Sequence, residues 1–440
     1  MNVIRYTDAN YQDRLREAIE ASSSLFDPKI EAAVRRILQA VQKEGDQALY
    51  RFARKFDKVD LETVGLAVSE KEVQEAQKQV PPAVRTAIRT AEKNIILYAK
   101  QTLRKSWTIR NAQGARVGEK FDPYERVGVY VPGGTAPLVS TVLMTALLGK
   151  VAGCREIVLC TPCRRDGTVH PALLYAAQRA GVTEIYRVGG AQAIAAMALG
   201  TETIRPVQKL FGPGNAYVVC AKRLLFGYVA VDLLPGPSEL LILADETAPA
   251  NFIAADLLAQ AEHGSGYERV WLVTPSARLI EAVQQEVDRQ LPELSRQDFV
   301  KQVLQRNGWC IQTADWEEAV KLANRIAPEH CEVMVKRPAG IVRQLKTAGA
   351  VFIGPWSPTA LGDYVAGPSH TLPTGGAGRS FSGLTADQFQ RSTSLVEYSQ
   401  SALRQSLPAL TILAELEGLD AHARSAQIRL RKKIPSSNED

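Results

Sequence analysis

The chain has 440 residues, 45% of them hydrophobic and 23% charged, and a formal net charge of +6. That composition excludes a disordered chain and leaves room for more than one core. The basic residues are scattered, with no aromatic-interleaved stripe, so nucleic acid is not an expected partner, whereas anionic small molecules suit a mildly positive cleft.

The N-terminus, MNVIRYTDANYQDRLREAIE, alternates charged and apolar residues and has no signal-type apolar core, so the expected localisation is cytoplasmic. DPKIEAAVRRILQAVQKEG carries Ile30, Val34, Ile37, Leu38 and Val41 at helical spacing and breaks at Gly45. PPAVRTAIRTAEKNIILYAKQTL repeats the pattern. From Arg126 the rhythm becomes α/β: strand RVGVYVP, helix PLVSTVLMTALLGKVAG, strand EIVLCTP, helix HPALLYAAQRAG, strand EIYRVG, helix AQAIAAMALG, then VQKLFGPG leading into helix NAYVVCAKRLLFG. Val127 to Gly149 holds no charged residue and is long enough to span a bilayer, but Pro132, Gly133, Gly134 and Pro137 break it into a buried strand, turn and helix. No membrane partner is expected.

A second α/β run follows, from LLILAD through RVWLVTP and GWCIQT to AVFIG. Strands alternating with helices give parallel sheets with βαβ connections. After Gly354 the segment PWSPTALGDYVAGPSHTLPTGGAGRSFSG reads as a long loop, and such loops are usually functional. The C-terminal stretch is helical and ends in a polar tail.

Six cysteines in a chain of this type argue against a disulfide framework. The single CxxC, Cys160 to Cys163, closes an apolar strand without a second CxxC, and reads as ordinary buried or half-buried thiols. Histidine is scarce, so the placement of all five is informative. His170 opens a helix and reads as a capping or surface residue. Gln260 and His263 lie three residues apart near the end of a helix, the spacing at which two side chains converge on one ion; a capping histidine beside a solvated glutamine has the same pattern. Glu329 and His330 follow Pro328 at the mouth of the strand CEVMV, which suits an acid–base pair and equally a surface turn. Asp363 and His370 share the Gly/Pro-rich loop, and Glu417 and His422 flank the helix break at Gly418.

No HExxH, Walker motif or complete GxGxxG is present. Three softer turns, VPGGTAP, VGGAQA and FGPGNAY, each follow a strand and feed a helix N-terminus, where backbone N–H groups attract a pyrophosphate. Three in successive βα turns point to a dinucleotide crevice. A zinc hydrolase would use the same His, Asp and Glu set but has no need of three such turns. A catalytically dead binding protein that keeps the scaffold is the other alternative.

Together VGVYVPGG, RVGGAQAIAAMALGTE, FGPGNAYV, GPSE, DLLAQAEHG, APEHCE, GDYVAGPSHTLPTGG and AELEGLDAHA occur in the order and spacing of the histidinol dehydrogenases, and nearly the whole chain resembles that family. The resemblance implies oxidation of L-histidinol to L-histidine through the aldehyde, with two NAD+ and one zinc ion (Zn2+) per site, as the last step of histidine biosynthesis. It implies Gln260, His263, Asp363 and His422 as zinc ligands, His422 coming from the partner subunit of a homodimer. Glu329 and His330 match the catalytic pair. Substrate positions are Ser238, Gln260, His263, His330, Asp363, His370, Glu417 and His422, and NAD positions are Tyr130, Gln192 and Asn215.

The fold implied is two incomplete Rossmann-like parallel-sheet domains in a domain-exchanged dimer. Its parts are a helical arm over 1–24, a zinc- and substrate-side domain over 25–125 and 238–385, an NAD-side domain over 126–237, a helical segment over 386–433 and a disordered tail over 434–440. One departure from the family is the glycine-rich GSGYERV after His263, which leaves the ligand positions intact; the second cysteine of CTPC is another feature the family does not need.

Overall fold

Fourteen strands organise the described residues. They are β1 (Asn2–Arg5), β2 (Trp107–Arg110), β3 (Arg116–Pro123), β4 (Arg126–Tyr130), β5 (Glu156–Cys160), β6 (Glu184–Tyr186) and β7 (Lys209–Phe211). β8 (Ala230–Val231), β9 (Glu239–Ala244), β10 (Arg269–Thr274), β11 (Gly308–Gln312), β12 (His330–Met334), β13 (Ala350–Ile353) and β14 (Gln390–Glu397) complete the set. The computed structural model describes residues 1–20, 27–133 and 137–431. Part of the VPGGTAP turn and the tail expected to be disordered therefore lie outside the described residues.

The chain forms two units: Met1–Thr102 with Tyr124–Phe389, and Leu103–Pro123 with Gln390–Asp440. The first holds two wholly parallel sheets, as the alternating strand and helix pattern predicts. One has the order β6-β5-β4-β7-β8 and the other β1-β11-β10-β9-β12-β13. Leaving β1 aside, both sheets run third, second, first, fourth, fifth strand, so each reverses direction beside its first strand. Strands this apolar, such as RVGVY and ELLILA, are buried on both faces. Along β9, Leu240 and Ile242 face one core, with Ile253, Leu257 and Val283. Leu241 and Leu243 face the other, with Trp271, Trp309 and Leu322, as the two-residue strand repeat requires.

The helical N-terminal part divides between the sheets. The expected arm opens instead on β1, which adds to the edge of the six-stranded sheet by pairing with β11. Helix Tyr11–Ile19 then buries Tyr11, Leu15 and Ala18 on one face of that sheet. Helix Pro28–Glu44 packs Val34, Ile37 and Val41 into the core of the five-stranded sheet. It therefore lies on the β4 side and not with the six-stranded sheet, where the resemblance implies residues 25–125.

The second unit is a three-stranded antiparallel sheet, β14-β3-β2, and a pair of helices, Gln400–Leu416 and Asp420–Arg431, packed on each other. Strands β2 and β3 thus pair with the C-terminal segment and not with an α/β domain. Among the described residues no helix is long and apolar enough to cross a membrane.

Candidate active site

The amino-terminal edges of β9 and β12 meet where the six-stranded sheet reverses, and Glu329 and His330 stand at that edge. Helix Trp316–Ile326 ends at Ala327, whose φ of +52° is left-handed and costly for a residue with a Cβ. Pro328 follows, so the turn is fixed before the pair begins. Parallel pairing then sets His330 opposite Leu240 on one side and Ala350 on the other.

Both catalytic candidates are tied to one residue of β9. The Glu239 N–H donates to Glu329 Oε2 at 2.9 Å, and His330 Nδ1–H donates to the Glu239 carbonyl at 2.9 Å. A carbonyl only accepts, so the proton sits on Nδ1 and the Nε2 lone pair is free. Nε2 lies 3.8 Å from Asp363 Oδ1. Burial pushes the His330 ionisation down to about 4, so the ring is neutral near pH 7. Burial, reinforced by the charges of Glu239 and Asp363, pushes Glu329 well above the usual carboxylate range, against the opposing hydrogen bonds from the Glu239 N–H and the Ser238 side chain.

Glu239, which the sequence reading did not single out, is the hub of this arrangement. Its own carboxylate accepts the Gly375 N–H at 3.1 Å and lies 3.5 Å from Arg269, and burial pushes it up to about 7. Arg269 in turn lies over the rings of Trp271 and Trp309.

The neighbouring elements bring in the other expected residues. Helix Ala250–Ala261, returning from β9, delivers Gln260 buried in its last turn and His263 just beyond, exposed. The glycine-rich run after His263 is pinned by the buried Glu268, which accepts the N–H groups of Ser265 and Gly266. The segment expected to be a long loop contains a short helix, Thr359–Tyr364, with Asp363 in its last turn. Beyond it Gly367, at φ +121°, packs so closely on helix Pro82–Gln101 that a Cβ would lie 2.9 Å from the Asn94 carbonyl. The Asn94 side chain meanwhile donates to the Val365 carbonyl at 2.8 Å. His370 Nδ1–H donates to the Asp363 carbonyl at 3.1 Å and Nε2 accepts from the Thr141 hydroxyl at 3.2 Å, so both ring nitrogens are committed.

Gln260, His263 and Asp363 suit a divalent cation. The Gln260 amide nitrogen is buried with no hydrogen-bond partner, so no bond at that end holds the amide against turning its oxygen to a cation, and burial pushes the Asp363 carboxyl up, a cost that an arriving cation would offset. Among the described residues no three His, Cys, Asp or Glu side chains are grouped to hold a metal ion; this trio supplies two from those classes and one amide. Glu417, at the end of helix Gln400–Leu416, and His422, in the first turn of the next, are both exposed on the second unit.

A second carboxyl pair, the buried Glu332 and the half-buried Asp256, carried no signal in the sequence. Glu332 lies on the His330 face of β12 and accepts from the Thr359 N–H at 2.9 Å and its hydroxyl at 3.1 Å. Its other oxygen is buried without a partner unless a proton bridges it to Asp256, one turn before Gln260. Burial and then repulsion by Asp256 push Glu332 up to about 8, while burial pushes Asp256 up to about 6, so one proton is shared near neutrality. The native state then holds a proton that the unfolded chain has lost, and stability falls as pH rises from the ordinary carboxylate range to about 8. Glu332→Gln is expected to remove that loss. In urea unfolding the variant should gain on the native protein by on the order of 2 kcal/mol between pH 5 and 9. A pH-independent difference would show that no proton is shared.

At the five-stranded sheet the carboxyl edges of β4 and β7 flank the reversal point, where open parallel sheets bind ligands. Tyr130 ends β4 and its hydroxyl, buried and pushed up to about 12, accepts the Gly190 N–H at 3.0 Å. Gln192 is buried in the helix that Gly190 begins. Asn215 caps helix Ala216–Leu225, its side-chain oxygen accepting the N–H groups of Tyr217 and Val218 at 3.1 and 3.2 Å. Cys160 and Cys163 are free thiols, both pushed up by burial.

A family model for histidinol dehydrogenase matches residues 21–430. The histidinol dehydrogenase of Geobacillus kaustophilus (strain HTA426) is 46% identical over 418 residues, covering 95% of this chain and 97% of that one. That of Heliobacterium mobile is 44% identical over 409 residues, covering 93% and 96%. The crystal structure of histidinol dehydrogenase from Elizabethkingia anophelis covers 98% of both chains with a TM-score of 0.93 at 34% identity. The likeness spans Glu239, Glu329, His330 and both sheets, and the chain belongs to the histidinol dehydrogenase family of oxidoreductases.

Proposed function

We propose that the protein oxidises L-histidinol to L-histidine by way of L-histidinaldehyde, reducing two NAD+ per histidinol, as the last step of histidine biosynthesis. The observation that carries this reading is His330: a neutral ring, oriented by the Glu239 carbonyl, with its Nε2 lone pair free beside Asp363. Converting an alcohol to an acid removes two hydrides, so it needs one proton acceptor twice and one water in between. His330 takes the hydroxyl proton in each oxidation. Glu329, steadied by the Glu239 N–H and Ser238, takes the proton of the water that hydrates the aldehyde.

Gln260, His263 and Asp363, with His422 of a second copy, would hold a zinc ion, which when bound positions the substrate's amine and imidazole. Ser238, Glu417 and His370 belong to the substrate surroundings; His370 acts there through its bond to Asp363. Tyr130, Gln192 and Asn215 lie where NAD+ would bind, and the cofactor's part is to accept each hydride. A homodimer with a shared site is supported by the second unit, whose Ile412, Leu413 and Leu416 are 64%, 58% and 81% exposed in the single chain. Six free cysteines suit the cytoplasm.

The test is histidinol-dependent NAD+ reduction with and without chelator. Two NADH per histidinol, abolished by chelation and restored by zinc, are expected; no NADH would refute the reading. His422→Asn is expected to weaken zinc binding by about tenfold or more, measured by competition with a chromogenic chelator. Unchanged affinity would remove His422 from the ligand set.

A further inference from the structure

Lys222 and Asp232 form an ion pair inside the five-stranded half of the first unit, with side-chain exposures of 1% and 0%. A pair taken fully out of water loses hydration on both sides, so its partners must be well placed to recover it. Here both charges close on the backbone of one residue, Gly212. Lys222 Nζ donates to the Gly212 carbonyl at 2.9 Å, and Asp232 Oδ2 accepts the Gly212 N–H at 2.8 Å. The two side chains reach Gly212 from different elements: Lys222 from helix Ala216–Leu225, and Asp232 from the end of β8, where its own N–H donates to the Leu210 carbonyl at 3.0 Å.

Gly212 opens the FGPGN turn directly after β7. Its φ of +111° favours glycine, and a Cβ there would collide with the Tyr130 carbonyl oxygen. Gly212 is thus where the β7 turn touches the end of β4 across the reversal point, three residues before Asn215. We infer that Lys222 and Asp232 are positioning residues for the dinucleotide: by gripping the carbonyl and the N–H of Gly212, they hold the β7 turn, Asn215 and the following helix N-terminus at the spacing the cofactor requires. Neither side chain touches the ligand. The inference rests on the proposed cofactor position at this reversal point.

The test compares Lys222→Met, Asp232→Asn and the double variant Lys222→Met/Asp232→Leu, which removes both charges together and strands neither. Calorimetric titration with NAD+ is expected to show the dissociation constant rising by about tenfold or more in each. Zinc stoichiometry and histidinol affinity without NAD+ are expected to stay unchanged, a selectivity that a merely structural role would not produce. Unchanged NAD+ affinity in the double variant overturns the inference. So does equal weakening of all three ligands, or failure of all three variants to fold, because the pair would then be holding the domain and not the turn. Asn215→Ser, which keeps a helix cap but removes the amide, separates the two readings. If it weakens NAD+ binding while the charge variants do not, only the clamp fails; if none of the four matters, the cofactor position fails with it.

Discussion

Replacing His330 with glutamine is expected to lower turnover about a thousandfold and to leave zinc affinity where it was. The ring is held by one bond, Nδ1–H to the Glu239 carbonyl, which leaves Nε2 unprotonated. With its ionisation pushed down to about 4 by burial, the imidazole stays in the proton-accepting form throughout the neutral range. Glutamine keeps much of the volume and can donate to the same carbonyl, but its amide takes no proton. Because the same base serves both oxidations, the loss should be similar whether histidinol or histidinaldehyde is supplied. Stopped-flow NADH formation with each substrate measures it, and metal analysis of the purified variant supplies the control. Parallel loss of zinc and of turnover would mean that His330 acts through the metal site and not as the base.

The two parallel sheets were legible because VGVYV, EIVLC, LLILA and RVWLV are unbroken apolar runs separated by helical periods. β1 was not, because NVIR is too short to announce a strand and its partner, β11, lies far along the chain. The antiparallel sheet of the second unit was missed for a related reason. WTIR is exposed along its whole length, so no burial pattern marks it, and β3 pairs with a segment near the other terminus. At the candidate site, residue type and spacing were enough to nominate Gln260, His263, Glu329, His330 and Asp363. Family resemblance raised them above the competing reading of caps and turns. Glu239, Asp256 and Glu332 gave no comparable signal, since a carboxylate inside a core and one on the surface look alike in sequence. What makes them unusual is burial, which neighbours from distant segments impose. Lys222 and Asp232 were hidden in the same way: each is an ordinary charge until the fold closes both onto Gly212.

Glu329→Gln is the companion experiment, with an expected loss of about a hundredfold or more that falls on the second oxidation and spares the first. Oxidising the aldehyde requires water to add, and the proton that water releases needs an acceptor other than the ring that must next take the hydrate's hydroxyl proton. Glu329 is placed for this, with Oε2 fixed by the Glu239 N–H. Burial, with the charges of Glu239 and Asp363, also pushes its ionisation well above the usual carboxylate range. An acid whose ionisation is raised becomes a base only as pH rises or as positive charge arrives nearby, so aldehyde oxidation by the native enzyme should climb with pH along a limb set by Glu329. The glutamine variant can still accept the Glu239 N–H through its amide oxygen, so the local architecture should hold, but it has no proton-accepting form and should lack that limb. In a single turnover the native enzyme is expected to form two NADH per histidinol, whereas the variant should stop near one and release aldehyde that a carbonyl trap captures. Equal slowing of both half-reactions, or an unchanged pH limb for the aldehyde, would transfer the hydration step from Glu329 to another group.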